Sequence, residues 1–328
     1  MKNLLWNIVK IIVTIAIIAF LFARVNPGVM AQHLTRANPF LLLLALGLYF
    51  IAIMLGAAKW QILVRAQKIK ATFSDLATYT LVGLFFGNLL PSNVGGDVVR
   101  GYDLVRASGR AEAAAISVLV DRLMGLVAFL GVAVVMASLA AATLTRGSEL
   151  EQIEIATVIV ATIFVFAAAL MFSRRASQRI KMIFEWGPFR PIQPIAQRVY
   201  QALQVYRHSY RALALNTAVS VLIVLVTTFV WYGIAVALGE NVSLFYFFLF
   251  NPLIAFVLLI PISFNGLGPK EATAVFFFGL VGMSPEVALS MSLIFHLVVV
   301  LCSLPGGVLW WRERALAPAS TLEEKTES

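Results

Sequence analysis

Two short segments of the sequence combine proline, asparagine, glycine and charge in the same order. Residues 90–100 read LPSNVGGDVVR, and residues 260–271 read IPISFNGLGPKE. Proline ends an incoming helix, glycine permits a tight backbone turn, and the next helix begins with free amide groups that face the break. Arginine or lysine just after such a break could therefore help to hold an anion.

The charged residues of these segments adjoin apolar sequence, where an unpaired charge is costly. One such charge near the centre of a bilayer costs at least about 2.5–3.5 kcal/mol on insertion scales. We therefore expect these side chains to be paired, to face a cavity or to lie near a membrane interface. The candidate substrate-binding residues are Asn93, Gly95, Gly96, Asp97, Arg100, Asp121, Arg122, Asn265, Gly266, Gly268, Lys270, Glu271 and His296.

Some charges in this region have a second interpretation. Asp121 and Arg122 are adjacent, so on a helix they point about 100° apart and cannot both face the same partner. His296 is either a proton-relay group or a hydrogen-bonded histidine inside a helix bundle. Asp103 and Arg106 lie farther from the first break and also fit a solvated helix face.

Sequence motifs of known enzymes are absent. The chain has no G-x-S-x-G, no H-E-x-x-H, no P-loop and no Cys/His cluster with metal-ligand spacing. Cys302 is the only cysteine, so an internal disulfide is impossible. We predict no catalytic residue, no metal and no cofactor.

The composition places most of the chain inside a membrane. Of the 328 residues, 61% are hydrophobic and 12% charged, against about 45–50% and about 25% in ordinary soluble domains. About 20 consecutive apolar residues cross a bilayer as a helix. Runs of that length lie near 4–22, 40–58, 113–142, 153–172, 212–238 and 285–309. The sequence therefore predicts an all-α, polytopic membrane helix bundle with about six full spans.

Basic loops give the predicted orientation. The loops at 59–70 and 174–211, together with Arg312 and Arg314, carry an excess of lysine and arginine. Such loops remain cytoplasmic, so both termini are predicted to lie on that side. These loops also account for the net charge of +9, and we do not expect nucleic acid as a partner.

The number of crossings predicts the path of the two broken segments. Two basic loops on the same side must be separated by an even number of membrane crossings. The runs at 113–142 and 153–172 already supply two of them. The stretch 74–112 is therefore predicted to be a re-entrant hairpin, and by the same count so is the stretch 244–282, entering from the opposite side. Irregular backbone at membrane depth needs protein or a water-filled cavity around it. Opposed hairpins are typical of an inverted repeat in a transporter.

Three motifs in order resemble a known family. LPSNVGGDVVR at 90–100, AISVLVDR at 115–122 and NGLGPKEA at 265–272 are similar to the lysylphosphatidylglycerol synthase transmembrane family, also called flippase-like integral membrane proteins. Full-length synthases of that family add a soluble domain that transfers an aminoacyl group from tRNA to phosphatidylglycerol. Here we expect residues 1–311 to form the flippase-like transmembrane domain alone, and residues 312–328 to form a short polar cytoplasmic tail.

The resemblance implies a lipid translocase of the plasma (inner) membrane that moves a phospholipid or a lipid-linked precursor. Arg100, Arg122 and Lys270 would hold the phosphate, while Asp97 and Glu271 would neutralise these cations or contact an amine of the head group. Two other functions stay open. Some relatives are linked to glycosyl transfer from isoprenoid-linked sugars, and a chain without the soluble domain could instead assist a separate lipid-modifying enzyme.

Overall fold

Helices make up the part of the chain that the structure describes. The computed structural model describes residues 2–90, 94–143, 205–206, 209–258, 263 and 266–316, and no strand occurs within these ranges. This confirms the all-α prediction. The helices are α1 (Lys2–Arg24), α2 (Pro27–Arg36), α3 (Pro39–Ala66), α4 (Phe73–Leu89), α5 (Gly95–Ser108), α6 (Ala111–Thr143), α7 (Tyr210–Ala237), α8 (Leu244–Val257), α9 (Pro269–Gly279) and α10 (Pro285–Leu316).

Four helices are long and apolar enough to cross a bilayer. Among the described residues they are Pro39–Ala66, Ala111–Leu139, Tyr210–Ala237 and Pro285–Arg312, and they match four predicted spans. The first predicted span lies within α1, which meets α2 at a bend of 90°. The predicted span 153–172 and most of the basic loop 174–211 lie outside the described residues. The helices indicate a multi-pass membrane protein, and the count of six spans stays a prediction.

Each predicted hairpin is a pair of short helices on either side of a break. Helices α4 and α5 contain 17 and 14 residues and flank residues 91–93. Helices α8 and α9 contain 14 and 11 residues and flank the second break. The two helices of each pair pack against each other. The re-entrant path of either pair, the inverted repeat and the orientation of the termini remain predictions.

Local capping fixes where the hairpin helices begin and end. Thr72 and Asp75 form a capping box at the start of α4, in which Thr72 N donates to Asp75 Oδ2 at 2.8 Å. Gly109 ends α5 in the left-handed conformation, at a φ of 67°. Gly268, at a φ of 90°, precedes Pro269 at the first position of α9. Asp97 therefore lies on the first turn of α5, Arg100 on its second turn, and Lys270 and Glu271 on the first turn of α9.

Glycines allow α4 to lie very close to two other helices. A Cβ atom on Gly83 would lie 2.6 Å from the carbonyl oxygen of Gly96, so the backbones of α4 and α5 touch at this point. On the other side of α4, a Cβ atom on Gly306 of α10 would collide with the carbonyl oxygen of Leu81. Helix α4 thus lies between α5 and α10, and backbone contact positions the first turn of α5.

Gly306→Val is expected to destabilise the bundle, because the added carbons would overlap with the Leu81 carbonyl group and both partners are helix backbone. Overpacking of this kind costs about 1–3 kcal/mol. The melting temperature of the purified variant in detergent should fall by several degrees. Gly131→Val on α6 is the matched control, since no atom lies within 4 Å of a Cβ at that position. Equal melting temperatures for the two variants would show that the close approach of α4 and α10 is not required.

Two buried clusters hold the helices around the breaks. The larger joins α3 and α7–α10 through apolar and aromatic side chains, with Trp231 stacked on Phe295 at 4.6 Å between ring centroids. The smaller surrounds Trp60 and joins α3, α4, α5 and α6. Trp60 Nε1 donates to Ser117 Oγ at 3.1 Å. This hydrogen bond fixes the indole ring beside the charged residues of α5.

Candidate functional site

Charged side chains after the first break form a continuous chain of ion pairs. Arg100 Nη2 lies 2.8 Å from Asp97 Oδ1 and 3.2 Å from Asp121 Oδ2. The other oxygen of Asp97, Oδ2, lies 2.6 Å from Arg122 Nη1. Asp121 and Arg122 therefore face different partners, as their adjacency on α6 predicts. The network connects the start of α5 to the first half of α6.

Asp121 is the buried centre of this network. Its side chain is 3% exposed, and Oδ1 lies 3.0 Å from Lys59 Nζ on α3. Asn216 Nδ2, on α7, donates to the same Oδ1 at 2.9 Å and to the carbonyl oxygen of Lys59 at 2.9 Å. The network thus ties four helices together. Because a buried charge is costly unless it is paired and hydrogen-bonded, these contacts are what allow the carboxylate to be buried here.

Lys59, Asn216 and Trp60 belong to the site although they are not among the residues predicted from the sequence. Lys59 directly follows the apolar run 40–58 and has the sequence position of a loop charge. Asn216 is a single amide within a long apolar run. For Lys59 and Asn216, the sequence feature that could have pointed to the site is a polar side chain a few residues inside a span. Such side chains find hydrogen-bond partners within the bundle. Trp60 lies 4.8 Å from Arg100 Cζ, measured to the ring centroid, and no spacing along the chain shows this contact.

The second break carries a smaller cluster. Lys270 Nζ lies 3.3 Å from Glu271 Oε1 and 3.3 Å from Nδ1 of His296 on α10. A charged lysine can only donate, so the imidazole accepts at Nδ1. His296 is therefore hydrogen-bonded within the bundle, which is one of the two roles predicted for it. The ammonium group also lies 5.6 Å from the ring centroid of Phe295.

Glu271 caps α9 and does not reach open space. Its side chain is 0% exposed. Its Oε2 accepts from Gly268 N at 2.7 Å, and its Oε1 accepts from Ser292 Oγ at 3.3 Å. The contact between Glu271 and a head-group amine that the resemblance implies is therefore not available in this conformation, because both carboxylate oxygens are used within the protein.

Residues that flank both breaks line a common cavity of about 400 Å³. Asp97 and Arg100 line it from α5, and Lys270 and His296 line it from α9 and α10. Most of the remaining wall consists of apolar side chains and glycines from α3, α4 and α10. The volume falls within the range of about 300–1,000 Å³ that is typical of small-molecule sites. A ligand with a charged group and an apolar body suits such a wall.

The structure brings together some of the predicted site residues and separates others. The cavity is lined by Gly96, Asp97, Arg100, Lys270 and His296. The buried acids Asp121 and Glu271 lie behind it and pair with its cations. Arg122 lines a neighbouring groove instead. The positions that act in helix starts and turns are Gly95, Gly266 and Gly268. The two positions outside the described residues are Asn93 and Asn265.

The fold and the site define a polytopic helical membrane protein with a charged cavity between two broken helix pairs. The chain belongs to the family described as the lysylphosphatidylglycerol synthase TM region, whose sequence profile matches residues 7–306. This match confirms the resemblance drawn from the three motifs and extends it over nearly all the described helices.

Two relatives are similar along most of the chain. A UPF0104 membrane protein of Methanothermobacter thermautotrophicus is 26% identical over 312 residues, which cover 88% of this chain and 90% of that protein. A UPF0104 membrane protein of Pyrococcus horikoshii is 21% identical over 329 residues, which cover 94% of this chain and 97% of that protein. These names identify membrane proteins and state no activity. No solved structure matches the chain.

Proposed function

We propose that this protein is a lipid translocase, which carries the polar head group of a phospholipid or a lipid-linked precursor across the plasma (inner) membrane. The observation that carries the proposal is the common cavity, where cations from both breaks line one largely apolar space. Membership of a family named after a phospholipid synthase supports a lipid as the ligand. The proposal assigns no catalytic step and no cofactor to the chain.

Arg100 and Lys270 are the phosphate contacts in this mechanism. The guanidinium of Arg100 is held by the buried Asp121 through Nη1 and Nη2 and by Asp97 through Nε and Nη2, so a phosphate would bind it by displacing Asp97, the more exposed of the two carboxylates. Asp97 is the acid that lines the cavity, and its side chain is 22% exposed. Both of its oxygens are paired with arginines, so it would accept a head-group amine once the phosphate has replaced it at Arg100. Alternating motion of the pairs α4–α5 and α8–α9 would open this site to each side of the membrane in turn.

Lipid movement in liposomes tests the proposal directly. Purified protein should speed the transbilayer movement of a fluorescent phospholipid, measured as the fraction accessible to an external quencher over time. A head group with both phosphate and amine should move faster than a purely anionic one, because Asp97 offers the amine a carboxylate partner. Asp97→Asn should remove that difference in rate.

Comparison of wild type, Asp97→Asn and empty liposomes separates the alternatives. Equal rates in all three, across a panel of lipids, would contradict translocation and favour a membrane partner of a lipid-modifying enzyme. A rate that depends on the protein but not on Asp97 would support translocation and refute the amine contact. Glu112→Gln, at an exposed position in the first turn of α6, serves as the variant that alters a carboxylate outside the cavity.

A further inference from the structure

A second cavity of about 400 Å³ lies between α5 and α6. Its lining forms one stripe on each helix, which runs from the N-cap residue Val94 through Val98 and Tyr102 to Val105 along α5 and includes Val118 and Arg122 on α6. Gly101 lies between the two stripes and has no side chain to fill the space. A Cβ atom at this position would make an ordinary contact of 3.5 Å with Val118 Cγ2. The stripe on α5 extends over about 16 Å of helix. We call this cavity the α5–α6 groove.

The α5–α6 groove opens on the outer surface of the described bundle. Val98 and Tyr102 are 66% and 65% exposed. Its other wall, α6, contains a candidate membrane span, so apolar side chains on this face can meet lipid chains. The charged residues among its lining are Asp97 and Arg122, which lie together at one place on the wall.

Asp97 lines both the α5–α6 groove and the common cavity. Its Oδ1 pairs with Arg100, which lines the common cavity, and its Oδ2 pairs with Arg122, which lines the groove. An anion that binds the guanidinium of Arg122 therefore competes with Asp97. Asp97 thus connects a cation of the groove to a cation of the common cavity through its two ion pairs.

We propose that the α5–α6 groove is a binding site for a phospholipid, with one acyl chain along the apolar stripes and the phosphate on Arg122. Charge complementarity identifies the head, because guanidinium binds phosphate through parallel, charge-assisted hydrogen bonds. The apolar stripes identify the tail, because an acyl chain is the apolar molecule that a bilayer supplies. The site is a lateral entrance to the common cavity. Its role as an entrance rests on the proposed translocation, whereas its occupancy can be measured separately.

Photo-crosslinking tests the site. The purified protein is placed in phosphatidylcholine nanodiscs that contain phosphatidylglycerol with a diazirine in the middle of one acyl chain, and labelled peptides are mapped by mass spectrometry. A diacylglycerol with the same acyl chains is the probe without phosphate. We expect the phosphatidylglycerol probe to label the stripes of α5 and α6, and to do so more than the diacylglycerol probe.

Two variants and a control assign the parts of the site. Val98→Trp fills the groove at its rim and should reduce labelling of the stripes about tenfold, since it displaces a few methylene groups of the chain. Val135→Trp, at an exposed position of α6 that does not line the groove, should leave labelling unchanged. Arg122→Gln should abolish the preference for the probe that carries phosphate. Equal labelling in Val98→Trp and Val135→Trp would overturn the site, and an unchanged preference in Arg122→Gln would overturn the phosphate contact.

The same measurement distinguishes this inference from the proposed function. Labelling of the groove in a protein that fails to move lipid would support the binding site and refute translocation. Lipid movement without labelling of the groove would support translocation and refute this entrance.

Discussion

Arg100→Gln and Lys270→Gln are expected to slow protein-dependent lipid movement about tenfold to a hundredfold, because each would remove the charged hydrogen bond to the proposed phosphate, worth about 1.5–3 kcal/mol. Both side chains line the common cavity, from opposite helix pairs. Arg106→Gln should retain most of the rate, since Arg106 is exposed near the far end of the same helix as Arg100. The measurement is the quencher-accessibility rate in liposomes at equal protein density.

A second pair of variants separates loss of the contact from loss of the fold. Arg100→Lys and Lys270→Arg keep the charge in place, and they should give rates between those of the glutamine variants and wild type. Each variant must elute as a single peak in size-exclusion chromatography before its rate is compared. If Arg100→Gln, Lys270→Gln and Arg106→Gln were equally active, the cavity would lose its basis as the head-group site.

Asp121→Leu is expected to be the most destabilising single substitution in the site. It leaves Lys59 and Arg100 without the buried carboxylate that both contact, at 3.0 and 3.2 Å. Removing one partner of a buried ion pair costs about 3–5 kcal/mol. The variant should unfold at a much lower denaturant concentration than wild type, or yield little folded protein. The measurement is a denaturation curve in mixed micelles, followed by near-ultraviolet circular dichroism.

The double variant Lys59→Met with Asp121→Leu provides the matched comparison. It removes the acid and one cation together, so it should be more stable than Asp121→Leu alone. Stability that is additive across this double-mutant cycle would show that Lys59 and Asp121 do not interact energetically. Because Arg100 keeps Asp97 as a partner in the double variant, recovery should be partial.

The long helices could be predicted from the sequence because each is encoded by an apolar run of spanning length. Helix α2 could not, because its ten residues, Pro27–Arg36, are of mixed polarity and form no such run. Its start depends on a local cap instead, in which Asn26 Oδ1 accepts from Gly28 N at 2.9 Å. A ten-residue segment of mixed polarity is easily assigned to a loop when only the sequence is available.

The site was predictable where chemistry follows a helix break and unpredictable where it depends on contact between distant residues. Asp97, Arg100 and Lys270 follow the two Pro- and Gly-containing breaks, and they do line one cavity. Lys59 and Asn216 join the network through helices that are far apart in sequence, and only the fold shows this. The structural role of Glu271, by contrast, could have been predicted from the sequence. An acid three residues after Gly268 has the spacing of a residue that caps the start of a helix.

The shared position of Asp97 makes the two cavities thermodynamically linked. Its carboxylate is divided between Arg100 and Arg122, so a ligand that takes over one arginine leaves more of the carboxylate to the other. If both spaces bind an anion as proposed, occupancy of the α5–α6 groove would change affinity in the common cavity, and by reciprocity a ligand in the common cavity would change affinity in the groove by the same factor. Such an arrangement would couple the arrival of one molecule to the departure of another through a single side chain.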